Sequence, residues 1–194
     1  MLKEGQKAPN FTLPSDSGKD IRLADFAGKS VVVYFYPRDN TPGCTREAQA
    51  FAAATKDFAK LGVTVLGISK DSVASHCGFR DKYKLTFPLL SDADLSVHKA
   101  FGAYGEKLMY GKKVLGTIRS TFVVGPDGKL TKVFPSVKVD GHADAVLAIL
   151  RGGDAAPAPA KKAAVKVKAA KSAPAKTAKK TAQSAKKAAK GGKR

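Results

Sequence analysis

Residues 31–44 read Val-Val-Val-Tyr-Phe-Tyr-Pro-Arg-Asp-Asn-Thr-Pro-Gly-Cys. The first six are β-branched or aromatic and read as a buried strand. Residues 45–60 hold Arg46, Glu47, Gln49 and a run of alanines without Gly or Pro, which predicts a helix. Cys44 therefore falls where a strand hands over to a helix. The first N–H groups of a helix lack intrahelical partners and its dipole is positive there, and both effects favour negative charge on a sulfur. Thr41 supplies a hydroxyl three residues earlier, and Pro42-Gly43 stiffens the turn and removes bulk in front of the thiol. A lone cysteine is more often a small buried hydrophobe. The polar turn and the helix start favour a nucleophile here.

Outward from this passage the chain alternates strands and helices. Phe11–Pro14 and Ile21–Leu23 flank the turn Ser15–Lys19 and predict a hairpin. Leu61-Gly62 stops the helix, and Val63–Ser69 is a second buried strand, so a parallel crossover is expected. Asp71 or Ser72 caps a helix reaching about Lys84 with Cys77 inside it. Residues 87–90 are extended, and Asp92 or Asp94 starts a helix through about Phe101. Ser120–Val124 and Leu130–Phe134 flank Pro126-Asp127-Gly128-Lys129, a hairpin signal, and residues 141–151 form a closing helix. The expected class is α/β, a mixed central sheet with helices on both faces.

Charge divides the chain in two. Residues 151–194 hold 14 Lys+Arg and one acid, +13 of the formal +19, and residues 1–150 hold the remaining +6. All five tyrosines and ten phenylalanines precede residue 135, so only the front part can build a core. A domain over 1–151 and a basic Lys/Ala/Pro-rich tail over 152–194 follow, the tail being too poor in apolar surface to order itself when free. No apolar run approaches a bilayer span, and the N-terminal MLKEGQKAPNF lacks the apolar stretch of a secretory signal. The expectation is a cytoplasmic protein, in whose reducing compartment a cysteine pair is more often catalytic than structural. His76, His98 and His142 are scattered and no Cys-x-x-Cys occurs, which argues against a metal site and a thioredoxin-type reductase. Thr-Pro-Gly-Cys lacks the spacing of a phosphate loop.

Pro37, Thr41 and Cys44, inside YFYPRDNTPGCTREAQAF, resemble the Pro-x-x-x-Thr-x-x-Cys signature of the peroxiredoxins. VTVLGIS (63–69), FPLLSD (87–92), FGAYGEK (101–107) and RSTFVVGPDGK (119–129) are similar to the peroxiredoxin Q group, also called bacterioferritin comigratory proteins. The resemblance covers about residues 3–150 and excludes the tail. It implies a thioredoxin-like fold and a peroxidase that reduces hydrogen peroxide and organic hydroperoxides, with no prosthetic group. Thioredoxin or a similar dithiol is the implied reductant, and a monomer is the family expectation.

Under this resemblance Cys44 is the peroxidatic nucleophile and Thr41 a hydroxyl partner for thiolate or peroxide. Arg119 matches the family's strand-borne arginine, although position alone would make it a surface charge at a strand end. Pro37 shapes the loop. Arg38 and Asp39 are expected to be solvated loop charges. Many members carry a second cysteine five residues after the first, where this chain has Gln49. Some relatives place a resolving cysteine in the helix after the next strand, and this resemblance implies that Cys77 is the resolving cysteine, which condenses with a sulfenic acid on Cys44; the alternative is a packing residue in a one-cysteine enzyme. His76 is expected to be an exposed helix residue, with assistance to proton transfer as the lesser reading.

The tail belongs to another function class. Segments such as SAPAKTAKKT resemble linker-histone and bacterial histone-like tails, and dense cation without aromatics suits phosphate contact without base reading. The competing readings are a solvated tail that binds nucleic acid incidentally and a nucleoid-associated protein whose peroxidase domain is secondary.

Overall fold

The computed structural model describes residues 1–109 and 112–152. The expected disordered tail over 152–194 lies outside the described residues from 153 onward.

The centre is a five-stranded sheet of order β5-β4-β3-β8-β9. Its strands are β3 (Ser30–Phe35), β4 (Val63–Ser69), β5 (Leu89–Ser91), β8 (Ser120–Val124) and β9 (Leu130–Phe134). β3 pairs in parallel with β4, and β4 with β5, while β8 runs antiparallel to both β3 and β9. The sheet is therefore mixed and thioredoxin-like, as expected. An N-terminal hairpin, β1 (Thr12–Pro14) with β2 (Asp20–Arg22), stands where the turn residues 15–19 place it. A second hairpin, β6 (Tyr104–Met109) with β7 (Lys112–Thr117), was not expected from the sequence. Its charged and glycine-containing strands lack the alternation of a half-buried strand.

Strand periodicity builds two cores. In β3, Val32 and Tyr34 face one side and Val31, Val33 and Phe35 the other. The first side packs against α1 (Pro42–Lys60), α2 (Val73–Tyr83) and α4 (His142–Leu150) through Phe51, Phe58, Phe79 and Val146. The second packs against α3 (Ser96–Phe101) and the N-terminal segment through Val97, Phe101, Phe11 and Leu13. Gly67 in β4 makes one of these contacts possible, because a Cβ there would lie 2.9 Å from both the Tyr34 ring and Leu89. No helix among the described residues is long and apolar enough to cross a membrane.

Candidate active site

α1 begins at Pro42, three residues before the expected start, because proline tolerates the first helical position, where its missing N–H costs nothing. Cys44 thus sits inside the first turn. Thr41 is the N-cap residue, and its carbonyl accepts the first intrahelical bond, from Thr45 N–H at 2.8 Å. The N–H groups of Gly43 and Cys44 lie ahead of that bond and have no intrahelical acceptor. The Thr41 hydroxyl does not reach the sulfur: it donates to the Arg38 carbonyl at 3.0 Å and so closes the loop behind the cysteine. Pro37 is half-buried at the exit of β3, where it ends the strand.

Arg119 stands immediately before β8, the neighbour of β3, and reaches across to the start of α1. Its Nη2 donates to Cys44 Sγ at 3.1 Å, and its Nη1 donates to Glu47 Oε2. The reading of Arg119 as a free surface charge is thereby replaced by a side chain only 16% exposed. Burial alone would lower its pKa; the charges of Glu47 and Cys44 outweigh that and raise it. A guanidinium can only donate and always carries its charge, so it is matched to a sulfur bearing negative charge. The Cys44 sulfur is buried beneath it.

Glu47 was not singled out in the sequence. It lies three residues after Cys44, hence on the same helix face, and that spacing is the signal that could have found it. Burial pushes its carboxyl up to about 7 against the opposing pull of Arg119, and its Oε1 has no partner among the described residues. Between about 4.5 and 7 the folded protein keeps a proton that the unfolded chain has released. Proton binding by the native state exceeds that of the unfolded state in this window, so this group makes stability fall as pH rises through it. Replacing Glu47 by Gln removes that dependence. In urea unfolding at a series of pH values, the stability of Glu47→Gln relative to wild type should climb by about 3 kcal/mol between pH 4.5 and 7.5. Other titrating groups are shared by the two proteins and cancel in the difference. A pH-independent difference would contradict the buried-carboxyl reading.

Two expectations are corrected behind the loop. Asp39 is buried, and so is His76, whose side chain is fully enclosed. Asp39 accepts from the Tyr36 hydroxyl at 2.8 Å, the Ser75 hydroxyl at 2.7 Å and His76 Nδ1 at 2.9 Å. Burial raises the Asp39 pKa, but the hydrogen bond and charge of His76, with Ser75 and Tyr36, outweigh it and hold the carboxyl below its ordinary value. The reason for the correction is the chain's path. After Pro37 the loop turns the Asp39 side chain under α2, while Arg38 and Asn40 on either side of it stay exposed.

Cys77 is half-buried on α2 and donates to the Asp16 carbonyl at 3.0 Å. Asp16 N–H in turn donates to Leu89 of β5. The structure brings Arg119 to Cys44 and leaves Cys77 elsewhere, both thiols being free. Cys77 is tied to Asp16 and through it to β5, whereas Cys44 is tied to Arg119 ahead of β8.

Residues 4–133 match the AhpC/TSA family. The chain is 48% identical over 146 residues to peroxiredoxin Bcp of Xanthomonas campestris pv. campestris, covering 74% of this chain and 91% of that protein. It is 44% identical over 146 residues to peroxiredoxin Bcp of Escherichia coli K12, covering 75% and 94%. A solved structure of the Xanthomonas campestris bacterioferritin comigratory protein, described for its alkyl peroxide reduction activity, superposes with a TM-score of 0.70 at 46% identity, over 73% of this chain and 90% of that one. By the family match over residues 4–133, these identities and the shared fold, the chain belongs to the AhpC/TSA family and, within it, to the Bcp/peroxiredoxin Q group of thiol peroxidases.

Proposed function

We propose that Cys44 is the peroxidatic nucleophile, acting on hydrogen peroxide and alkyl hydroperoxides. The observation that carries this is the Arg119 guanidinium at 3.1 Å from a buried sulfur in the first turn of α1. The thiolate attacks one peroxide oxygen. The O–O bond breaks and an S–O bond forms, sulfur gives up two electrons, and the leaving alkoxide or hydroxide takes a proton. Arg119 and the free N–H groups of Gly43 and Cys44 are donors for the charge that moves onto oxygen. Glu47 holds the guanidinium through Nη1 and leaves Nη2 for the sulfur. Thr41, through Arg38, and Pro37 hold the loop in shape.

Cys77 is the proposed resolving thiol. It condenses with the sulfenic acid of Cys44 to give a disulfide and water, and thioredoxin or a similar dithiol returns both thiols. A disulfide needs Cα atoms within about 7 Å. The separate anchors of the two sulfurs therefore require helix-start segments to move. Cys77→Ser should leave the first oxidation intact, block the disulfide and expose Cys44 to sulfinic acid formation. Thioredoxin-supported turnover should fall at least tenfold, while a small thiol still supports cycling. Peroxide consumption assays with each reductant check this. Equal turnover of variant and wild type with thioredoxin would make Cys77 a packing residue and the enzyme a one-cysteine type.

The same reading assigns residues 1–151 to catalysis as a cytoplasmic monomer and residues 152–194 to a basic tail that tethers the enzyme to DNA. A second reading, favoured by the +13 charge of residues 151–194, is a nucleoid-associated protein in which the peroxidase is secondary. DNA retention and peroxide turnover measured on one preparation, at near-physiological salt, separate them.

A further inference from the structure

We propose that Asp39, Ser75 and His76 form a latch that holds the Cys44 loop against the helix bearing Cys77, and that its release limits formation of the Cys44–Cys77 disulfide. This rests on Cys77 being the resolving thiol. Asp39 lies five residues before Cys44, and His76 directly precedes Cys77. The carboxylate of one segment is thus bonded to two side chains of the other, Ser75 at 2.7 Å and His76 at 2.9 Å. The contact is extended on both sides. The Asp39 backbone N–H donates to Asp71 Oδ2 at 2.8 Å, just ahead of α2, and Asp71 is itself held by the Ser69 hydroxyl at 2.9 Å. His76 Nε2 lies 3.2 Å from the Leu90 carbonyl of β5.

Neither cysteine can travel far while these bonds stand. Bringing Cys77 to Cys44 carries His76 with it, because they are adjacent in α2. Asp39, 6% exposed, would then keep its charge in the interior with one donor, Tyr36, in place of three. The step being gated consumes no outside reagent: the Cys77 thiol displaces the hydroxyl of the Cys44 sulfenic acid, an S–S bond replaces the S–O bond, and water leaves with the thiol proton. The latch holds Asp39, Ser75 and His76 as positioning residues, since none of them touches the sulfur that reacts.

The distinguishing readout is a gain. Weakening a contact that merely stabilises the fold would not speed a chemical step, whereas weakening a latch speeds resolution. Full-length reduced wild type, Ser75→Ala and Ser75→Thr are mixed with one equivalent of hydrogen peroxide. They are quenched with a thiol-blocking reagent at intervals and analysed by non-reducing mass spectrometry. Ser75→Ala should form the disulfide about tenfold faster than wild type and accumulate less sulfinic acid on Cys44 at excess peroxide. Ser75→Thr, which keeps the hydroxyl, should return toward the wild-type rate. If Ser75→Ala fails to fold, Asp39→Asn, which weakens the acceptor shared by Ser75 and His76, carries the same expectation. Disulfide formation at an unchanged or slower rate overturns the latch alone. Absence of the disulfide in wild type overturns the resolving role of Cys77 and the latch with it.

Discussion

Cys44→Ser is expected to reduce thiol-dependent peroxide consumption to background while the protein stays folded. A serine hydroxyl is far less acidic than a thiol, and neither the N–H groups of the first helical turn nor the Arg119 guanidinium can make it an effective nucleophile at neutral pH. The side chain is buried and nearly isosteric, so circular dichroism and urea unfolding should change little. Arg119→Ala is expected to retain the thiol and lose about a hundredfold in the rate of Cys44 oxidation, the scale for deleting one donor to a developing charge. It also leaves Glu47 buried without its cation, so its loss of stability should exceed that of Cys44→Ser. Wild-type turnover in Cys44→Ser, followed as peroxide consumption in a coupled assay, would sink the assignment of the nucleophile.

Removing residues 152–194 is expected to abolish DNA retention and leave peroxidase turnover nearly unchanged. Residues 151–194 carry +13 without one aromatic side chain, and the domain before them carries +6 with 15 acids interspersed. Lysines that neutralise phosphates release condensed counterions, so binding must weaken steeply with salt. If roughly ten cations engage duplex phosphates, the slope of log K against log salt is about −9. Between low and near-physiological salt this amounts to several orders of magnitude in affinity, all of which the truncated protein should lack. Scrambling the tail at fixed composition should change little, because phosphate contacts carry no base information. Filter-binding or anisotropy titrations across a salt series check both statements. A truncated protein that holds DNA as tightly as the full chain, or a full chain that prefers one sequence, would contradict them.

The strands and helices of the sheet were legible because each follows a simple period or a strong boundary. The run 31–36 alternates between two cores, Ser72 caps α2 by accepting from Ser75 N–H, and Gly128 turns the β8–β9 hairpin with a positive φ. The hairpin β6–β7 was not legible, since Gly105, Glu106 and Lys107 give no alternation of apolar and polar residues. At the site, the signature pointed to Cys44 and the wider family resemblance to Arg119, and the two lie in hydrogen-bond contact. Thr41 was expected as a hydroxyl partner for thiolate or peroxide; its hydroxyl donates to the Arg38 carbonyl, an acceptor in its own loop. Asp39 and His76 were expected in solvent. Their burial depends on the pairing of two segments 37 residues apart, which no local pattern encodes. Glu47 differs: its placement on the Cys44 face follows from helix periodicity, and only its ion pair with Arg119 required the tertiary structure.

The most direct measurement places the first oxidation. Reduced full-length Cys77→Ser is given one equivalent of hydrogen peroxide in the presence of dimedone, which alkylates sulfenic acids, and the digested protein is mapped by mass spectrometry. The account predicts a stoichiometric adduct on Cys44, the sole thiol left in that variant, and loss of the adduct's formation rate by about a hundredfold when Arg119 is also replaced by Ala. In the otherwise wild-type protein the same treatment without dimedone should yield the Cys44–Cys77 disulfide. An unmodified Cys44 after full consumption of the peroxide, or an adduct that forms equally fast without Arg119, would contradict it.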